Sequence, residues 1–326
     1  MPLLTALMKG TKRLAKVYDG NVFATTDPHI TLVHTGKDVG TYDAYSDQFG
    51  YDLIGGAVIK SRVLTMSGVA AQSKTYDGTT AADISKFHAT LNNVVSGEES
   101  LVTATATGAT YNSKDVRAAN TVNYTGVALG GTGAGNYTLA ASTAQGAGSI
   151  TAKQLNLALT SGARFDKTYD GTANVTQTLT KGTNYSLTGF IGTEGDHLAL
   201  ASATGTYTAG KDAAVNKGVT FDGLTLTGTG AANYVLDKTT LTGTGTISPK
   251  QLNLALTSGV RFDKTYDGNN RVTQLLTKGT NYTLANFVTG EGTGIELAPA
   301  TGTYTDKNAA ADKAVTFDGL TLTGTG

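Results

Sequence analysis

Cysteine is absent from the sequence, which excludes a disulfide framework. That absence suits a reducing compartment, and it suits equally an exported chain that crosses two membranes unfolded, so it leaves the compartment open. Charge is scarce as well: Asp, Glu, Lys and Arg supply 15% of residues, and the two signs balance at 25 each. The usual charged share is about 25%. Sparse, balanced charge gives no field to draw nucleic acid or an anionic membrane, and no basic stripe is present, so no nucleic-acid partner is expected. No apolar run approaches the ~18 residues of a membrane span. The opening stretch from Met1 to Lys9 lacks a basic n-region and has too short an apolar core for a signal peptide. If the protein is exported, its targeting segment is expected to lie outside these residues. Tryptophan is also missing, which removes the strongest stacking residue from any sugar-binding platform.

What fills the space is Thr, Gly, Ala, Asn and Ser, with 42 glycines among 326 residues. At about 100 residues per domain this length suits two to four modules, and internal repetition is plain. Gln154–Gly162 and Gln251–Gly259 both read QLNLALTSG, and Phe165–Gly171 and Phe262–Gly268 both read FDKTYDG. KGTNY recurs at Lys181 and Lys278, and FDGLTLTGTG at Phe221 and Phe317, on a period of 97 from Tyr169 to Tyr266. A more diverged unit shares the frame, with Tyr76 lying 93 residues before Tyr169, and a shorter one begins the chain. The spacing predicts four modules: a short, diverged repeat over 1–59, repeats over 60–152 and 153–249, and a repeat over 250–326 that lacks its last strands. Pro2–Gly10 aligns with Pro249–Gly259, and Gly326 with Gly230, so the sequence is expected to be a fragment of something longer.

Within each unit the segments are short and alternate with period two, as half-buried strands do. Leu155, Leu157 and Leu159 share one face, with Asn156, Ala158 and Thr160 on the other. Val219 and Phe221 have one parity, Leu224 and Leu226 the opposite, so a bulge or tight turn is expected at Asp222-Gly223. Ala82–Val95 carries helix-like spacing at Ile84, Phe87, Leu91 and Val94, yet the neighbouring copies read as strands there. The prediction is all-β: tandem immunoglobulin-like β-sandwich repeats joined end to end as an elongated rod.

One motif punctuates the frame. Tyr-Asp-Gly stands at Tyr18-Asp19-Gly20, Tyr76-Asp77-Gly78, Tyr169-Asp170-Gly171 and Tyr266-Asp267-Gly268, usually as Lys-Thr-Tyr-Asp-Gly. Asp-Gly forms turns because Gly takes positive φ and Asp bonds its own backbone. The tyrosine before it is expected to pack its ring at a seam between modules and keep its hydroxyl wet. With the Asn-Tyr-Thr-Leu strand, the Gly-Leu-Thr-Leu-Thr-Gly segment and the Ile-Thr/Ser-x-Lys linker, the chain resembles the YDG-type repeat and its MBG relatives. Such repeats belong to filamentous-haemagglutinin-like surface adhesins of bacterial two-partner secretion systems. The resemblance covers nearly the whole chain, more weakly over residues 1–60. It implies secretion or display at the bacterial cell surface, an outer-membrane secretion partner, and a role in adhesion or biofilm formation, with a host or matrix glycan or protein bound through other regions.

Sites of chemistry are few. Asp166, Asp170, Asp263 and Asp267 are candidates for calcium, but each place offers two acids near Lys167 or Lys264 rather than the 6–8 oxygens calcium takes. Turn capping is the expected role, and no cofactor is expected. The four histidines, His29, His34, His88 and His197, stand at non-equivalent positions with no partner pattern, so no enzyme is expected. Asn123, Asn136, Asn184 and Asn281 satisfy the glycosylation sequon; strand chemistry explains the same residues. A Lys–Asn isopeptide bond could replace disulfides, but no spacing identifies one. The expected function is therefore a structural stalk that extends an adhesive element, with a multivalent glycan- or matrix-binding array as the alternative.

Overall fold

The computed structural model describes residues 14–21, 32–34, 36–46 and 55–325. Among the described residues the structure is all-β, with short 3-10 turns. Three four-stranded sheets repeat one plan. The strands Leu14–Val17, Gly55–Lys60, Gly40–Ser46 and Leu32–His34 lie side by side in that order, the first pair parallel and the others antiparallel. Gln72–Thr75, Thr143–Thr151, Thr121–Thr125 and Gly108–Tyr111 repeat it, as do Lys167–Thr168, Leu241–Ser248, Ala214–Phe221 and Thr206–Tyr207. The last strand of a unit thus enters between its first strand and its central hairpin. Further pairs complete each unit: Arg62–Ser67 lies between Tyr137–Leu139 and Thr90–Asn92, and Thr103–Thr105 pairs with Ala128–Gly130.

Contacts divide the chain into two compact units, one comprising 1–155, 189–198 and 228–236, the other 156–188, 199–227 and 237–326. In the first, Lys153–Leu155 runs parallel to Tyr234–Leu236. Its core gathers Tyr18, Ile59, Leu64, Val102 and Tyr137, and Phe87 packs on Tyr124 with ring centroids 4.8 Å apart. In the second, Asn156–Leu159 pairs with Tyr185–Thr188, and Phe165, Val219, Phe221, Leu224, Leu241 and Ile247 are buried. Full burial of such side chains contributes roughly 1.5–3 kcal/mol each before chain entropy is subtracted.

Ala82–Val95 forms no α-helix. A 3-10 turn covers Ile84–Lys86, capped by Asp83, and Thr90–Asn92 is a strand against Arg62–Ser67. β-Branched Thr90 suits a strand, and Asn93 at φ 73° ends it. The parity switch at Asp222-Gly223 is a tight turn: Gly223 has φ +65°, which lets Leu224 reach 1% exposure just after Phe221 leaves its strand. Among the described residues no helix is long and apolar enough to cross a membrane.

Candidate functional site

The recurring Lys-Thr-Tyr-Asp-Gly turn is built around a lysine. The glycines at 20, 78, 171 and 268 have φ of 78°, 77°, 80° and 81°, a left-handed conformation that other residues adopt only under strain. The aspartate before each closes an Asx turn, its Oδ1 accepting from the backbone N–H two residues on at 3.0, 2.9, 2.9 and 3.1 Å. The same oxygen accepts the lysine three residues back. Lys167 Nζ donates to Asp170 Oδ1 (2.6 Å), Thr172 O (2.8 Å), Thr172 Oγ1 (3.2 Å) and Asn174 O (2.8 Å), with its side chain only 3% exposed. Lys74 has the same ring from Asp77, Thr79 and Ala81, and Lys264 a similar one from Asp267 and Asn269. Lys16 donates to Asp19 and Asn21 O. Each of the later three ammoniums also stands 5.3–5.6 Å from a tyrosine ring, at Tyr111, Tyr207 or Tyr304. Hydrogen bonds from lysine hold Asp19 and Asp267 below the usual carboxylate range. At Asp77 and Asp170 burial pushes upward, but the lysine and threonine bonds outweigh it and the net direction is again down.

The tyrosine of the motif is the second component. Tyr18 and Tyr76 are buried, and their hydroxyls are not wet as the sequence suggests: each donates to a carboxylate, Glu98 at 2.6 Å and Glu194 at 2.8 Å. The other oxygen of each carboxylate accepts a second tyrosine, Tyr137 at 2.6 Å and Tyr234 at 2.5 Å. The paired rings meet edge to face, 5.4 Å apart in both places. Asn136 and Asn233, just before the second tyrosines, grip the turns at 38–39 and 115–116, accepting from Val39 N and Val116 N and donating to Asp38 and Asp115. In the second unit Tyr169 donates to Glu291 (2.7 Å), which also accepts Lys211 (2.7 Å). Glu98, Glu194 and Glu291 lie 96 and 97 residues apart, a signal present in the sequence that the motif search missed. Burial, then the bond to Glu194, pushes Tyr234 up to about 12, and the same causes raise Tyr18 and Tyr76 well above the usual phenol range. Tyr266 differs from the others, being 60% exposed.

Among the motif glycines, Gly78 and Gly171 also sit where space is short, whereas nothing lies within 4 Å of a Cβ added to Gly268. A Cβ on Gly78 would lie 3.0 Å from Ile191 Cγ2, and one on Gly171 only 2.7 Å from Val288 Cγ1.

Matching against family models gives the YDG domain over residues 60–145, 151–241 and 248–326. The chain belongs to the YDG domain family. No curated protein matches it. Two solved structures resemble it faintly. One is an endo-fucoidan hydrolase of glycoside hydrolase family 107, at 13% identity and TM-score 0.16, with 71% of this chain and 39% of that one covered. The other is a protocadherin GammaB4 extracellular domain, at 10% identity and TM-score 0.20, with 96% and 48% covered. The chain thus spans less than half the length of either structure, and neither likeness carries an argument.

In this YDG chain the remaining candidates have structural partners. Asp166 meets Arg164 at 3.4 Å and accepts Thr246 N at 2.7 Å, and Asp263 lies 3.7 Å from Arg261. Asn184 and Asn281 each cap their Lys-Gly-Thr-Asn turn by accepting from Thr180 N and Thr277 N. Asn123 accepts from Gln145 across a strand pair, and Asn136 is held at Asp38 and Val39. His88 and His197 are exposed. His29, and the side chain of His34, fall outside the described residues.

Proposed function

We propose that these repeats are immunoglobulin-like β-sandwich modules stacked end to end as an elongated rod, the stalk of a bacterial adhesin. The adhesin is a secreted or surface-displayed, filamentous-haemagglutinin-like protein exported by an outer-membrane two-partner secretion system. The stalk carries an adhesive element away from the cell for attachment or biofilm formation, and host or matrix glycans or proteins are bound through other regions. It catalyses no reaction and takes no cofactor. The observation that supports this reading is where the repeated polar groups go. The lysines, aspartates, tyrosines and glutamates that recur from repeat to repeat bond to one another. Side chains consumed in this way hold a repeat together or join it to the next. Tyrosines buried like Tyr18 and Tyr76 offer no face to a sugar.

Small-angle X-ray scattering tests the proposal. A rod of modules about 35 Å long, from ~10-residue strands, would reach roughly 130 Å and give a radius of gyration near 38 Å. A compact body of this length would give about 20 Å. A value near the smaller figure removes the stalk reading.

A further inference from the structure

With no cysteine and no tryptophan in the sequence, tyrosine is the side chain that gives up a single electron most readily. A phenol that loses an electron must also lose its proton, because the radical cation is a far stronger acid than a phenol of pKa ~10. Oxidation therefore settles where a base already holds the hydroxyl. Two places offer one base to two phenols at once. Glu98 accepts Tyr18 at 2.6 Å on one oxygen and Tyr137 at 2.6 Å on the other. Glu194 accepts Tyr76 at 2.8 Å and Tyr234 at 2.5 Å in the same way. In each pair the ring centroids stand 5.4 Å apart, with the planes at 81° and 76°, so the edge of one ring meets the face of the other. All four rings are buried, which keeps a radical there from solutes.

Other tyrosines lack part of this arrangement. Tyr207 and Tyr304 donate to backbone carbonyls, which take up no proton. Tyr169 reaches a carboxylate, but the other partner of Glu291 is Lys211 rather than a second phenol.

We propose that Tyr18–Tyr137 and Tyr76–Tyr234 are sites of oxidative tyrosine cross-linking, at which a one-electron oxidant of the haem peroxidase and peroxide class joins the two rings. Each phenol gives one electron to the oxidant and its proton to the shared carboxylate; Glu194, 30% exposed, passes that proton on to water. The two radicals couple through the ring carbons beside the hydroxyls, forming one carbon–carbon bond. The hydrogen on each coupled carbon then leaves it, and both hydroxyls are restored. One peroxide per link takes the two electrons and two protons and becomes two waters. Tyr76 and Tyr234 lie in successive family matches, so their link ties one repeat covalently to the next, a restraint that a cysteine-free chain cannot draw from disulfides. The proposal is independent of the stalk reading.

The test exposes the whole chain, in dilute solution, to light-generated ruthenium(III), a small one-electron oxidant, and maps joined peptides by mass spectrometry. Peptides linking Tyr18 to Tyr137 and Tyr76 to Tyr234 are expected, each short of its parts by two hydrogens, with the fluorescence of dityrosine. Glu194→Gln keeps the shape of the site but removes the base. It is expected to lower the Tyr76–Tyr234 link at least about tenfold while the Tyr18–Tyr137 link, which also reports that the variant is folded, stays as in the wild type. Unfolding in urea before oxidation is expected to abolish the preference for both pairs. Three results would each overturn the proposal: links confined to exposed tyrosines such as Tyr266, an undiminished Tyr76–Tyr234 link in Glu194→Gln, or the same two pairs favoured equally in urea.

Discussion

Lys167 answers a question that the carboxylates of the motif pose. An Asp170 side chain beside two backbone carbonyls and a hydroxyl is an oxygen-rich site, and the charge that satisfies it is the chain's own ammonium. Removing that ammonium leaves four acceptors facing an apolar stem. Lys167→Met is therefore expected to cost about 2–3 kcal/mol in urea unfolding, below the full value for a buried pair because Asp170 is part-exposed. For the same reason calcium or a chelator is expected to leave the wild-type melting curve unmoved. The tyrosine–glutamate clasp has a different signature. Folded-state values of Tyr18, Tyr76 and Tyr234 lie above the ordinary phenol value of ~10, so above that pH the unfolded state loses its protons first. The stability they contribute is complete below pH ~10 and is lost as pH rises above it, for Tyr234 as it passes about 12. Unfolding free energy measured between pH 9 and 12 should fall with a slope that Tyr76→Phe reduces, and an unchanged slope would count against the clasp. At this scale the Asp-Gly turn was legible, because its chemistry is local. The clasp was not: Glu98 sits in Gly-Glu-Glu-Ser and Glu194 in Gly-Thr-Glu-Gly, segments with no shared motif beyond the spacing.

At the scale of elements, glycine decides whether a closing strand can lie in its slot. Strand propensity alone argues against Leu-Thr-Gly-Thr-Gly-Thr-Ile-Ser, since glycine inside a strand forfeits entropy and packing. Here the missing Cβ atoms make room for Phe165 and Tyr207. Gly245→Val is expected to destabilise the chain by about 1–3 kcal/mol, the range of overpacked cores. Gly162 offers a control: its φ of +76° strains any side chain, but nothing lies within 4 Å of the added Cβ. Gly162→Ala should then show only the backbone cost, about 1–2 kcal/mol. The period-two pattern made the strands legible, and the parity change at Asp222-Gly223 marked a real turn. The order of strands was not legible, because a parallel pairing such as Lys167–Thr168 with Ile247–Ser248 joins residues 80 apart and leaves no local trace.

For the whole molecule, the repeat in sequence and the unit in space do not coincide. Residues 189–198 and 228–236 fall within the second family match, yet they pack in the first unit, where Glu194 and Tyr234 close on Tyr76. Arrays of this kind hold together by repeat cores plus nearest-neighbour terms, so a local lesion should stay local. Tyr76→Ala is expected to raise hydrogen exchange in 72–75, 143–151 and 228–236 while leaving 262–317 as in the wild type. Tyr169→Ala should do the reverse, loosening the turn at 167–172 and the Glu291 segment. Exchange that rises evenly over the whole chain in either variant would mean a single cooperative unit, and the nearest-neighbour account would then fail. Confined exchange would mean instead that each clasp is a separate joint, which one repeat closes on the next without help from the rest.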